Sequence, residues 1–136
     1  MQWLYIFLGG GLGAVSRFAI SSSVQTLAEQ TRLHRFPVGI LACNLLGSFL
    51  IGCLFGYVAT RSEGQPAWLH PMAVTGFLGA FTTFSSFALD THKLFSSTPL
   101  LAIVNILASV VGCLIAVWLG GIFFGNYLSD MVLYTL

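Results

Sequence analysis

Apolar residues run along this chain in four long blocks, and the charged residues collect in the short gaps between them. Leaving Tyr aside, no ionisable side chain occurs before Arg17, none in the 25 residues between Arg35 and Arg61, none in the 19 between His70 and Asp90, and none in the 36 between Lys93 and Asp130. A helix crosses the hydrocarbon core of a bilayer with about 20 apolar residues. The pattern predicts an all-α membrane protein with four transmembrane helices near 3–24, 37–59, 67–95 and 98–124, forming a single transmembrane domain over residues 1–136. The first block lacks a basic leading segment and a small-residue cleavage site, so it reads as a retained helix rather than a signal peptide. Pro37 opens the second span, Ser62-Glu63-Gly64-Gln65-Pro66 has turn composition, and Ser96-Ser97-Thr98-Pro99 marks a short third connection.

The polar residues inside the blocks are spaced. Gly9, Gly13 and Arg17 recur every four positions and share one helical face. The glycines let another helix approach closely. Arg17 reads two ways: it snorkels to the interface, or it faces a buried anion or carbonyl. Asn44, Ser48, Gly52 and Gly56 repeat the spacing in span two, as do Asn105, Ser109 and Cys113 in span four. An Asn within a bilayer is costly unless paired, so these stripes either glue helices together or share a polar track. Span three reads Gly76-Phe77-Leu78-Gly79-Ala80-Phe81-Thr82-Thr83-Phe84-Ser85-Ser86-Phe87. Hydroxylated and β-branched residues beside glycine favour a break in mid-membrane, and lipid tolerates a break only where the freed backbone is buried in protein or lines an ion path. The bland reading is an intact helix whose hydroxyls bond back to the preceding turn. Phe81, Phe84 and Phe87 recur every three residues, a spacing ordinary for core but here interleaved with hydroxyls.

Composition agrees. Hydrophobic residues make up 57% of the 136, and only 7% are charged, against roughly 25% in soluble domains. A chain so poor in charge cannot dress a soluble globule, and membrane lipid is the solvent it fits. The formal net charge of +1 offers nothing to nucleic acid. Cys43, Cys53 and Cys113 lie inside the predicted spans without metal-ligand spacing and read as small packing residues, with no disulfide expected. Arg32, Arg35 and Lys93 fall on one side and Arg61 on the other, so the positive-inside bias is weak. Four helices can hardly enclose a polar path unaided, which points to an oligomer, with a two-fold dimer the commonest choice.

The span-three motif resembles the signature of the Fluc (CrcB-type) fluoride channels. So do Gly9-Gly10-Gly11-Leu12-Gly13-Ala14-Val15-Ser16-Arg17-Phe18, Asn44-Leu45-Leu46-Gly47-Ser48-Phe49 and Ala116-Val117-Trp118-Leu119-Gly120, in order along the whole chain. The resemblance implies a fluoride-selective channel in a bacterial inner membrane that confers resistance by passive efflux, built as an antiparallel homodimer with two fluoride paths along the subunit interface. It also implies a central sodium ion held by the backbone carbonyls of Gly79 and Thr82. By motif, Phe84 and Phe87 are the pore phenylalanines, Asn44 is the pore asparagine, and Ser109 lies on the span-four track. Asn44 offers amide donors, Ser85 and Ser109 offer hydroxyls, and phenylalanine edges are electropositive, so a dry pore could replace fluoride's water without a fixed charge.

The chain departs from the family pattern in three places. Gly79-Ala80-Phe81 stands where Gly-Gly-Leu is frequent, Gly39-Ile40-Leu41 where Gly-Thr-Leu is frequent, and Asp90 where Glu is frequent. The last two fall in what the resemblance implies is the entry vestibule. A small proton-coupled multidrug-type exporter and a fluoride/proton exchanger are the competing transport readings. Both want a carboxylate at depth, and none falls between Glu63 and Asp90 or in the first 28 residues. A membrane enzyme would need converging groups, and Asp90 and His92, expected at a span end, point to different faces.

Overall fold

The computed structural model describes residues 1–59 and 64–124. The chain is all-helical there. Helix α1 spans Gln2–Glu29 and α2 spans Val38–Ala59. A π-helical segment, His70–Leu78, runs into the short helix α3, Gly79–Phe81; α4 covers Phe84–Ser97 and α5 covers Pro99–Phe124. Four stretches are long and apolar enough to cross a membrane: Gln2–Glu29, Val38–Ala59, His70–Ser97 and Pro99–Phe123. Of the turn expected at 62–66, Ser62 and Glu63 lie outside the described residues, as does Arg61.

Two helix pairs make up the body. The π-helical segment packs on α1, and α2 packs on α5. Glycine permits both close approaches. A Cβ on Gly9 or Gly13 would collide with the carbonyls of Met72 and Phe77, and one on Gly52 or Gly120 with those of Val117 and Phe49. The Gly9/Gly13 face therefore packs helices, as its spacing suggested. The π-helical register was not foreseen. Its wider turn is seen at Gly79, whose N–H reaches the Val74 carbonyl five residues back.

The connections are held by local hydrogen bonds. Gln25 on α1 clamps the chain entering α2: its Nε2 donates to the Phe36 carbonyl at 3.3 Å and its Oε1 accepts from Gly39 N–H at 3.2 Å. The helix α4 stops at Ser97, and Pro99, which has no N–H to satisfy, starts α5. Asp90 sits seven residues before the end of α4 rather than at the span end that charge spacing suggested, because the helix starts afresh at Phe84 and runs on to Ser97. Its carboxylate lies 3.9 Å from Lys93.

Burial is sparse for a folded chain. Within the most apolar stretch of each span, between 11% and 28% of residues are buried by the chain itself. Side chains such as Phe7, Phe18, Leu114 and Phe123 are exposed. Lipid or another protein surface must cover them, since water would not tolerate so continuous an apolar face.

Candidate functional site

The helical run of the third span is interrupted at two residues. Thr82 (φ −86°, ψ 157°) and Thr83 (φ −152°, ψ 113°) are extended, between helical residues at Phe81 and Phe84. An interruption leaves backbone groups without helical partners, and the surrounding side chains account for several of them. Asn44 on α2 faces Thr83 with both ends of its amide. Its Oδ1 accepts from Thr83 N–H at 2.8 Å, and its Nδ2 donates to the Thr83 carbonyl at 3.2 Å. Thr83 then caps α4: its Oγ1 accepts from Ser86 N–H at 3.3 Å and donates to Ser86 Oγ at 3.1 Å. Ser85 Oγ also lies 3.2 Å from Thr83 Oγ1. The Thr82 hydroxyl bonds back to the Leu78 carbonyl at 3.0 Å.

These diversions fall on two particular carbonyls. In an unbroken helix Gly79 C=O would accept from Thr83 N–H, and Thr82 C=O from Ser86 N–H. Both donors are turned to side chains instead, to Asn44 Oδ1 and Thr83 Oγ1. The backbone oxygens that the family resemblance links to sodium are thus among the carbonyls, from Gly79 to Thr82, that the interruption deprives of their helical donors. Carbonyl oxygen is the donor type a hard cation takes. Among the described residues no group of three or more His, Cys, Asp or Glu side chains could hold a metal by itself.

Room for the interruption comes from α2. A Cβ on Gly47 would strike the Thr82 Cγ2 methyl and come within 3.2 Å of the Phe81 ring. Phe81 is 2% exposed and stacks on Phe77 with centroids 5.7 Å apart. The three-residue phenylalanine stripe is therefore split. Phe81 belongs to the core before the interruption, while Phe84 and Phe87 lie together on α4 with centroids 5.5 Å apart. The two extended residues reset the helical phase between Phe81 and Phe84.

A groove of about 420 Å³ opens alongside. Six of the site residues that the resemblance implied line it, Asn44, Gly79, Thr82, Phe84, Phe87 and Ser109, and Ser48 of the span-two stripe joins them. Ser109 is nearly buried, and its hydroxyl has no hydrogen-bond partner among the described residues. Cys113, one turn on, lines the same groove, and all three cysteines are free. Phe84 is 78% exposed, so the groove is open on that side in a single chain.

The remaining sequence-predicted residues lie elsewhere. The Ser85 hydroxyl turns to Thr83. Arg17 accepts the Cys43 thiol on its carbonyl at 3.7 Å, and its guanidinium makes no ion pair among the described residues. Asn105 is wholly buried against Thr91. Ile40 and Asp90 both line a second groove of about 640 Å³ with Gln25, Arg35 and Lys93. Sequence reasoning picked out the motifs that contain Thr83 and Gly47 but gave neither residue a role of its own. The available signals were the Thr83–Ser86 capping spacing and the glycine one turn after Asn44.

A family model for CrcB-like proteins, described as camphor resistance (CrcB), matches residues 4–121. Relatives called fluoride-specific ion channel FluC are similar over most of their length. One from Hahella chejuensis is 48% identical over 118 residues, covering 86% of this chain and 89% of the relative. One from Magnetococcus marinus is 44% identical over 121 residues, covering 88% and 94%. One from Coxiella burnetii is 38% identical over 121 residues, with the same coverage. With four helices fit to span a bilayer, this is a multi-pass membrane protein, and the chain belongs to the CrcB-like family.

Proposed function

We propose that this chain is a fluoride-selective ion channel of a bacterial cell membrane, one that lowers cytoplasmic fluoride by passive efflux and so confers fluoride resistance. The observation that carries the reading is the chemistry of the groove. Asn44, Phe84, Phe87 and Ser109 converge on it, and among the described residues its lining contains no Asp, Glu, His, Lys or Arg. Fluoride is small and tightly hydrated, so a narrow path must replace its water. One Nδ2 hydrogen of Asn44 is engaged by Thr83, which leaves the second for an anion. Ser109 adds an uncommitted hydroxyl, and the phenylalanine rings add electropositive edges. Several weak sites without a fixed charge suit conduction, because an ion must leave as readily as it enters. Ser85, engaged with Thr83, supports the cap of α4 on this reading.

The same reading takes the interruption at Thr82–Thr83 to lie in mid-membrane and the working unit to be an antiparallel homodimer. Support comes from the exposed Phe84 on the open side of the groove and from the sparse burial within one chain. The carbonyls of Gly79 and Thr82 would hold sodium at the dimer interface, where a bound cation would offset the repulsion between anions in a low dielectric. A proton-coupled exporter or a fluoride/proton exchanger would want a titratable carboxylate or imidazole in the path, and the described residues of the groove supply neither.

The experiment is fluoride efflux from liposomes containing the purified protein, with the proton gradient clamped and chloride as the control. Release of fluoride down its own gradient is expected. Flux that depends on counter-moving protons, or equal passage of chloride, overturns the reading.

A further inference from the structure

We propose that Asn105 is a positioning residue which, through Thr91, sets the rotation of α4 on α5 and with it the placement of Phe87 in the groove. The proposal rests on the reading of that groove as the fluoride path. Asn105 shares a register with Ser109 and Cys113, yet it does not line the groove. Its side chain is wholly buried, and its Nδ2 donates to Thr91 Oγ1 on α4 at 2.8 Å. Thr91 is itself buried, and its hydroxyl passes the bond on, donating to the Phe87 carbonyl at 2.7 Å. Two hydrogen bonds in series thus tie α5 to the backbone of the phenylalanine that lines the groove. Among the described residues this is the one side-chain hydrogen bond that joins α4 to α5.

A second observation separates this role from simple stabilisation. Asn105 Oδ1 is buried and has no hydrogen-bond partner among the described residues. A buried acceptor left unpaired destabilises a fold, whereas an apolar side chain of similar shape carries no such penalty. Leucine nearly matches asparagine in shape, so stability alone would favour leucine here. What leucine cannot supply is direction. Apolar packing between two helices tolerates small rotations, while a hydrogen bond aimed at one hydroxyl does not. The half-satisfied amide is therefore accounted for if it fixes one rotational setting of α4. The back-bonded Thr91 carries that setting to the Phe87 peptide, one turn away.

The test compares Asn105→Leu, Thr91→Val and Thr91→Ser with the wild type, measuring fluoride efflux from liposomes beside the thermal midpoint in detergent. Asn105→Leu is expected to keep or raise the midpoint while flux falls roughly tenfold, a modest loss on the scale seen when a positioned group moves by about an ångström. Thr91→Val, which leaves the buried Asn105 amide unpaired, should lower both flux and midpoint. Thr91→Ser retains both hydrogen bonds and should conduct like the wild type. Wild-type flux in both Asn105→Leu and Thr91→Val overturns the proposal. A midpoint lowered in Asn105→Leu also overturns it, since Asn105 is then an ordinary stability residue. So does a Thr91→Ser variant as impaired as Thr91→Val, because the hydroxyl is then not the link. If the wild type itself passes no fluoride, the groove reading fails first and takes the proposal with it.

Discussion

Asn44 and Thr83, 39 positions apart, face each other like paired residues of a sheet: one amide side chain takes up both the N–H and the C=O of one extended residue. The pairing explains how an interrupted helix persists. Thr83 is buried, and without Asn44 two of its backbone groups would be left unpaired. Asn44 therefore has a structural duty as well as its proposed contact with the ion.

The first prediction follows from that duty. Asn44→Ala should lower stability by about 1–3 kcal/mol, the penalty of leaving a buried polar group unsatisfied, as well as abolishing flux. The measurement is a thermal midpoint in detergent beside liposome efflux. Lost flux with an unchanged midpoint would confine Asn44 to contact with the ion and remove its structural role.

Phe84 and Phe87 differ from Phe81 in burial and in surroundings. Phe84→Ile and Phe87→Ile keep much of the apolar volume but remove an electropositive ring edge, so each should leave a folded protein with greatly reduced fluoride flux. Phe81→Leu should spare flux far more while lowering stability by about 1 kcal/mol, because it opens a small void beside Phe77. Gel filtration read beside flux separates the two effects. Near-normal flux in both isoleucine variants would make Phe84 and Phe87 ordinary packing residues.

Gly47 offers a test with a built-in rescue. Gly47→Ala drives a methyl into Thr82 Cγ2, and such overpacking costs about 1–3 kcal/mol. Flux should fall as the Thr82 backbone shifts. Adding Thr82→Ser deletes the methyl that is struck while keeping the hydroxyl that bonds to Leu78. Stability and flux in the double variant should recover most of the loss, with a clear coupling energy in the double-mutant cycle. Strictly additive losses would show that Gly47 and Thr82 do not meet.

Sodium is proposed to be held by the backbone oxygens of Gly79 and Thr82, so its removal is tested by exchange rather than by mutation. Replacing all sodium with a large organic cation should slow flux and loosen the proposed dimer on gel filtration. Unchanged flux and an unchanged dimer after complete exchange would show that the cation is dispensable.

Spacing alone placed the spans, because twenty or so apolar residues without charge have few alternatives to a bilayer. It also marked Asn44, the Thr82–Thr83 region and Ser109 as out of keeping with lipid, since each puts polar atoms where nothing polar is at hand. Local sequence left the partners of those atoms open. That Asn44 binds the Thr83 backbone, that the Ser85 hydroxyl turns to Thr83, and that Asn105 pairs with Thr91 while Ser109 lines the groove all depend on how α2, α4 and α5 are rotated. Rotation is fixed by contacts between residues distant in sequence, such as Gly47 against Thr82 and Gly52 against Val117. The 3.6-residue period says which residues share a face of one helix, but it carries no information about which face of the next helix they meet. The membrane character of the chain was therefore determined by the order of its residues alone. The side chains that face the groove were decided only when the helices packed.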